Sequence, residues 1–138
     1  MAMELNFVIK GGDFNLAGKA SSRIKKVLKQ LNIEAKEIKR IVVALYEAEV
    51  NVVAHAFEGE MKAVIGEHYI EVIICDKGPG IHNIEKAMEA GFSTASKTVR
   101  EMGFGAGMGL PNIKKNTDEL EISSKVGEGT VLRFKNYF

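Results

Sequence analysis

Between positions 35 and 56 the apolar residues Ile38, Ile41, Val42, Leu45, Ala48, Val52 and Ala56 recur at intervals of three and four. That spacing lines one face of a helix and is incompatible with a strand over the same stretch, so the chain must supply a second layer against which the stripe is buried. On the same helix Glu47, Asn51 and His55 stand at i, i+4 and i+8, in a polar stripe about 80° wide. Val43, Val50 and Ala54 flank it on one side and Ile41, Ala48 and Val52 on the other. Polar groups along a largely buried helix need partners. Two readings are open: a structural hydrogen-bond network, or a hard-oxygen site where a carboxylate and an amide oxygen one turn apart hold a hydrated Mg²⁺ and a nucleophile. Glu49 lies about 160° around the helix from Asn51 and is the weaker candidate.

The remaining periodicities place this helix in the chain. Residues 5–10 alternate as a first strand, and Gly11-Gly12-Asp13 breaks it before a helical pattern through Ile24, Val27, Leu28 and Leu31 that ends near Asn32. Residues 61–65 and 69–76 read as a strand pair turned at Gly66-Glu67-His68, and a short helix is expected over 84–90. Residues 91–109 hold five glycines and little periodicity. A further helix is expected over 110–116, and strands over 121–124 and 130–134 enclose Gly127-Glu128-Gly129. Strands that arrive in pairs argue for an α+β fold: a two-layer sandwich whose mixed, mostly antiparallel sheet carries helices on one face. With 138 residues and no repeat or linker, one domain over 1–138 is expected.

Composition narrows the function. The formal charge of +1 comes from 19 basic and 18 acidic residues spread along the chain, which argues against a nucleic-acid partner. No signal sequence and no apolar stretch of membrane-spanning length is visible, so a cytoplasmic protein with no membrane partner is expected. Cys75 is the only cysteine, which fits a reducing compartment, and it is expected to be a small buried apolar side chain in its strand.

Two more constellations carry chemistry. Asp76-Lys77-Gly78-Pro79-Gly80 ends a hydrophobic strand. A carboxylate there can accept from an exocyclic amine while the glycines let a planar ring approach the backbone; the alternative is a β-turn in which Asp bonds its own backbone. Gly103-Phe104-Gly105-Ala106-Gly107-Met108-Gly109-Leu110 has glycine at every second position before a helix. Converging N–H groups and a helix start suit a phosphate; the alternative is a loop with no ligand. A dinucleotide-binding Gly-x-Gly-x-x-Gly is absent from this segment, and Gly18-Lys19 lacks the Ser/Thr and the upstream glycine of a P-loop.

Taken in order, Glu47-x-x-x-Asn51, Asp76-x-Gly78-x-Gly80 and Gly105-x-Gly107-x-Gly109 resemble the N-box, D-x-G-x-G box and G-x-G-x-G lid of the GHKL (Bergerat-fold) ATPases. Within that superfamily the chain is most similar to the anti-sigma-factor serine/threonine kinases, through residues 47–57 and Gly91-Phe92-Ser93-Thr94, with a lean toward switch kinases that act on STAS-domain proteins. The resemblance implies ATP and Mg²⁺ as cofactors, Glu47 as general base, Asn51 as magnesium ligand and Asp76 as acceptor of the adenine amino group. It further implies Gly78 and Gly80 in the base pocket, Gly105, Gly107, Gly109 and Leu110 in a lid over the phosphates, Thr130 near adenine, and His55 in a supporting role. Lys97, Arg100, Lys114 and Lys115 are cations placed by the resemblance near the phosphates, the alternative being solvated surface charges. The implied reaction is phosphoryl transfer to a Ser or Thr of a STAS-domain partner, with Phe92 and Met102 as possible contacts. The alternative is a non-catalytic ATP-binding protein that sequesters a sigma factor, and a homodimer is implied by analogy. A histidine kinase would need a dimerisation helix pair bearing a phosphoacceptor His, and the N-terminal region offers one strand and one helix without histidine. Gyrase-like or chaperone-like ATPases need a following transducer domain.

Overall fold

The computed structural model describes residues 2–81, 83–89 and 109–138. Strand β1 (Met3–Lys10) is followed by a 3₁₀ turn (Phe14–Leu16) and by helices α1 (Lys19–Gln30) and α2 (Ala35–His55). Then come the hairpin β2 (Glu58–Ile65) and β3 (Tyr69–Lys77), the short α3 (Ile84–Ala87), α4 (Gly109–Lys115), and the hairpin β4 (Glu119–Lys125) and β5 (Gly129–Tyr137). The sheet order is β1-β2-β3-β5-β4, and α2 packs against α1, α4 and the sheet. This is the expected α+β sandwich.

The sheet departs from the expected mixed form: all four neighbouring pairs are antiparallel. Two helices separate β1 from β2, so the chain crosses the sheet twice and enters β2 at the end where it left β1. Gly11 N donates to Phe57 O and Gly12 N to Val53 O, both at 2.8 Å, and these bonds fasten that junction. β3 and β4 do run in the same direction, but β5 lies between them.

Helix α1 ends where the periodicity stops. Asn32 takes a left-handed φ of 59°, its N–H donates to Lys29 O, and Ile33 N–H donates to Leu28 O. This paired closure satisfies the last carbonyls, and asparagine tolerates the left-handed position. The core lies between the helices and one sheet face. Ile24, Leu28, Ile41 and Leu45 from the helices meet Met61, Ile70, Val72 and Phe134 from the strands, all at 0–1% exposure. Full burial of each such Ile, Leu or Phe side chain is worth roughly 1.5–3 kcal/mol.

Alternation along β3 sends Ile70, Val72 and Ile74 into the core and Tyr69, Glu71, Ile73 and Cys75 to the other face. Cys75 is therefore exposed rather than buried; its odd position in the strand outweighs its apolar character. Ion pairs such as Arg133–Glu71 at 2.6 Å and Lys62–Glu4 at 2.8 Å populate that outer face.

Candidate functional site

Glu47, Asn51 and His55 lie half-buried in one stripe along the C-terminal half of α2. Two of them are engaged by the first turn of α4. Asn112 Nδ2 donates to Glu47 Oε1 at 3.4 Å. Gly109 lies against Asn51 so closely that a β-carbon on it would stand 3.0 Å from Asn51 Oδ1. Leu110, one residue on, is buried in the core and anchors this turn. The Asn51 side chain has no hydrogen-bond partner among the described residues, and Gly109 leaves room for its amide oxygen.

The other end of α2 meets the acidic turn. His55 occupies the last helical turn, and burial holds its imidazole below its ordinary pKa. A β-carbon on Gly78 would come within 3.0 Å of Ala56 Cα and 3.4 Å of Asp76 Oδ1, so the turn after β3 folds directly onto the helix end. Asp76 Oδ1 accepts from Thr130 N at 3.1 Å. Burial raises its carboxyl pKa above the ordinary value, and the Thr130 N–H offsets part of that rise. Oδ2 has no partner among the described residues.

The turn is fastened to the β4–β5 hairpin. Gly80 adopts a φ of +74°, and a β-carbon there would meet Lys125 O at 2.5 Å; both the left-handed backbone and the close approach require glycine. Gly127 N donates to Pro79 O at 2.9 Å, and Ile81 N donates to Ser124 Oγ at 2.7 Å. The structure thus joins Glu47, Asn51, Gly109 and Leu110 at one end of the α2 stripe, and Asp76, Gly78, Gly80 and Thr130 at the other. His55 is adjacent to the second group but bonds to none of its members. Lys114 and Lys115 are exposed in the last turn of α4. Gly103, Gly105, Gly107, Phe92, Met102, Lys97 and Arg100 lie outside the described residues.

Sequence reasoning missed two residues of the site and the structural role of a third. Asn112 and Ser124 touch the site, and the only signal for them is a polar residue facing inward in a short helix and a strand. Glu49 is the third: at 2% exposure, its carboxylate accepts from Gly18 N (3.0 Å), Ala20 N (3.2 Å), Ser21 N (3.0 Å) and Ser21 Oγ (2.7 Å). It closes the open N–H groups at the start of α1, where Gly18 offers no side-chain cap.

The fold class is shared with solved structures. A chain of the crystal structure of the SiaB-SiaC complex from Pseudomonas aeruginosa superposes with a TM-score of 0.57 at 13% identity, covering 97% of this chain and 89% of that one. Residues 14–135 match the histidine kinase-like ATPase domain, and the chain belongs to that family. Similar proteins include an anti-sigma F factor of Thermoanaerobacter sp. (strain X514), 34% identical over 98% of this chain and 92% of the relative. The serine/threonine-protein kinase RsbT of Bacillus subtilis (strain 168) is 35% identical over 79% of both chains.

Proposed function

We propose that this chain binds Mg-ATP and transfers the γ-phosphoryl group to a serine or threonine hydroxyl of a STAS-domain partner protein. The observation that carries the reading is the double engagement of α2. Its Glu47–Asn51 turn is contacted by Asn112 and Gly109, while its C-terminal end packs on the turn that holds Asp76. The stripe between them runs over ten residues, from Glu47 to Ala56, or roughly 13 Å of helix, along which a nucleoside triphosphate can lie lengthwise.

In this reading Asp76 accepts from the adenine amino group, Gly78 and Gly80 line the base pocket in the turn that presents it, and Thr130 completes the pocket. Asn51 would hold the magnesium ion, which when bound would neutralise charge on the phosphates. Gly109 and Leu110, with Gly105 and Gly107, would enclose the phosphate tail. Glu47 takes the proton of the acceptor hydroxyl, held in place by Asn112. The similarity to RsbT supports the kinase assignment.

A second reading is favoured by the anti-sigma F factor relatives: the nucleotide-bound chain sequesters a sigma factor. Glu47 separates the two, since a clamp needs Asn51 but no base. Incubation with γ-labelled ATP, Mg²⁺ and STAS-domain proteins should label the partner on Ser or Thr. Glu47→Ala should bind nucleotide but abolish transfer, and Asn51→Ala should weaken Mg-ATP binding itself. Undiminished transfer by Glu47→Ala refutes the base assignment.

A further inference from the structure

Ser124 stands opposite Thr130 across the β4–β5 pair, on the sheet face that points to the helices. Its Oγ lies 2.7 Å from Ile81 N, 3.1 Å from Gly129 O and 2.8 Å from Thr130 Oγ1. A serine hydroxyl has one proton and two lone pairs. The Ile81 N–H can only donate, and the Gly129 carbonyl can only accept. One arrangement alone makes all three contacts hydrogen bonds: Ile81 N–H donates to Ser124 Oγ, Ser124 O–H donates to Gly129 O, and Thr130 O–H donates to Ser124 Oγ.

That arrangement commits the single proton of the Thr130 hydroxyl and leaves only lone pairs for anything else it meets. The neighbouring Asp76, when ionised, also offers only acceptors: Oδ1 takes the Thr130 N–H at 3.1 Å and Oδ2 has no partner among the described residues. Two acceptors side by side on adjacent strands welcome an amino group and repel a carbonyl oxygen. A buried acceptor facing an acceptor leaves both without a partner, which is the stronger half of such discrimination.

We propose that Ser124 is a positioning residue that fixes Thr130 as an acceptor and thereby makes the site prefer a purine bearing an exocyclic amino group over the same purine bearing a carbonyl. The inference rests on the base-pocket reading of Asp76 and adds the residue that sets the polarity of its neighbour. Without the Ser124 hydroxyl, Thr130 is free to rotate and donate to a carbonyl.

The test is titration of ATP and of inosine triphosphate, in which a carbonyl replaces the amino group and the adjacent ring nitrogen gains a proton, into the full chain and its variants. Wild type should prefer ATP. Ser124→Ala should narrow the ATP-to-ITP ratio on the order of tenfold, mainly by improving ITP relative to ATP, and Ser124→Thr, which keeps the hydroxyl, should hold the wild-type ratio. If Ser124→Ala weakens both nucleotides equally and leaves the ratio unmoved, Ser124 merely anchors the turn and the inference is overturned. Should Ser124→Ala fail to fold, Thr130→Val decides: it must narrow the ratio too, and an unchanged ratio overturns the inference. Wild type that binds both nucleotides equally, or neither, overturns the base-pocket reading together with it.

Discussion

Gly109 and Asn51 are packed so that the smallest possible side chain at 109 would press on the Asn51 amide: the β-carbon of an alanine would lie 3.0 Å from Oδ1 and 3.4 Å from Nδ2. Gly109 opens α4 rather than sitting in its interior, where glycine would cost roughly 1 kcal/mol against alanine, so Gly109→Ala should change stability little. The Asn51 side chain must turn away, and Mg-ATP affinity should drop about tenfold, a difference of roughly 1.4 kcal/mol. Titration beside a thermal melt separates the two effects; unchanged affinity in a stable variant would show that Gly109 does not set the position of Asn51.

Glu49 should be the most sensitive charged position in the fold. Glu49→Ala leaves the N–H groups of Gly18, Ala20 and Ser21 without the acceptor that satisfies them, and buried donors left open should cost about 3 kcal/mol or more in total. Glu49→Gln keeps one acceptor oxygen and should lose less. Urea unfolding at pH 7 measures both, and a loss below about 0.5 kcal/mol for Glu49→Ala, the range of ordinary surface substitutions, contradicts the capping role.

Asp76 links stability to pH in the direction opposite to most carboxylates. Its folded pKa is raised above the ordinary 3.8, first by burial. Its contribution is therefore fully present below 3.8 and is lost as pH rises through the folded value, so the ionised group costs stability at neutral pH. Asp76→Asn keeps an oxygen to accept from Thr130 N and removes the charge. The ligand-free variant should melt higher than wild type at pH 7, with the gap closing toward pH 3.5. A melting point equal to or below wild type at neutral pH counts against the buried carboxylate.

Gly80→Ala should destabilise by roughly 1–3 kcal/mol, because the residue must hold a left-handed φ. It must also clear Lys125 O, 2.5 Å from the new carbon. The effect should extend to nucleotide affinity, since the turn carries Asp76. A variant as stable as wild type by calorimetric melting would mean that the turn tolerates another conformation.

The parts of this molecule governed by local pattern were legible in the sequence. The periodicity from Ile38 to Ala56 gave α2 its span, and strands arriving in pairs gave the α+β sandwich its class. What escaped depends on contacts distant in sequence. Glu49 lay off the polar stripe, and its partners are 28–31 residues away, so nothing near it announced a cap. Ser124 is one of two adjacent serines, and only the strand register shows which of them faces the site. Cys75 followed strand alternation rather than its apolar character, and the antiparallel order of the sheet came from the double helix crossing between β1 and β2, which composition does not encode.

The central claim is that α2 and the Asp76 turn hold one adenine nucleotide between them. Isothermal titration of ATP in the presence of magnesium into the folded protein tests it directly. The account predicts saturable binding with one site per chain, weakened by Asn51→Ala and again by Asp76→Ala. Absence of heat and of any thermal stabilisation with millimolar ATP and ADP, in protein shown to be folded, would contradict it.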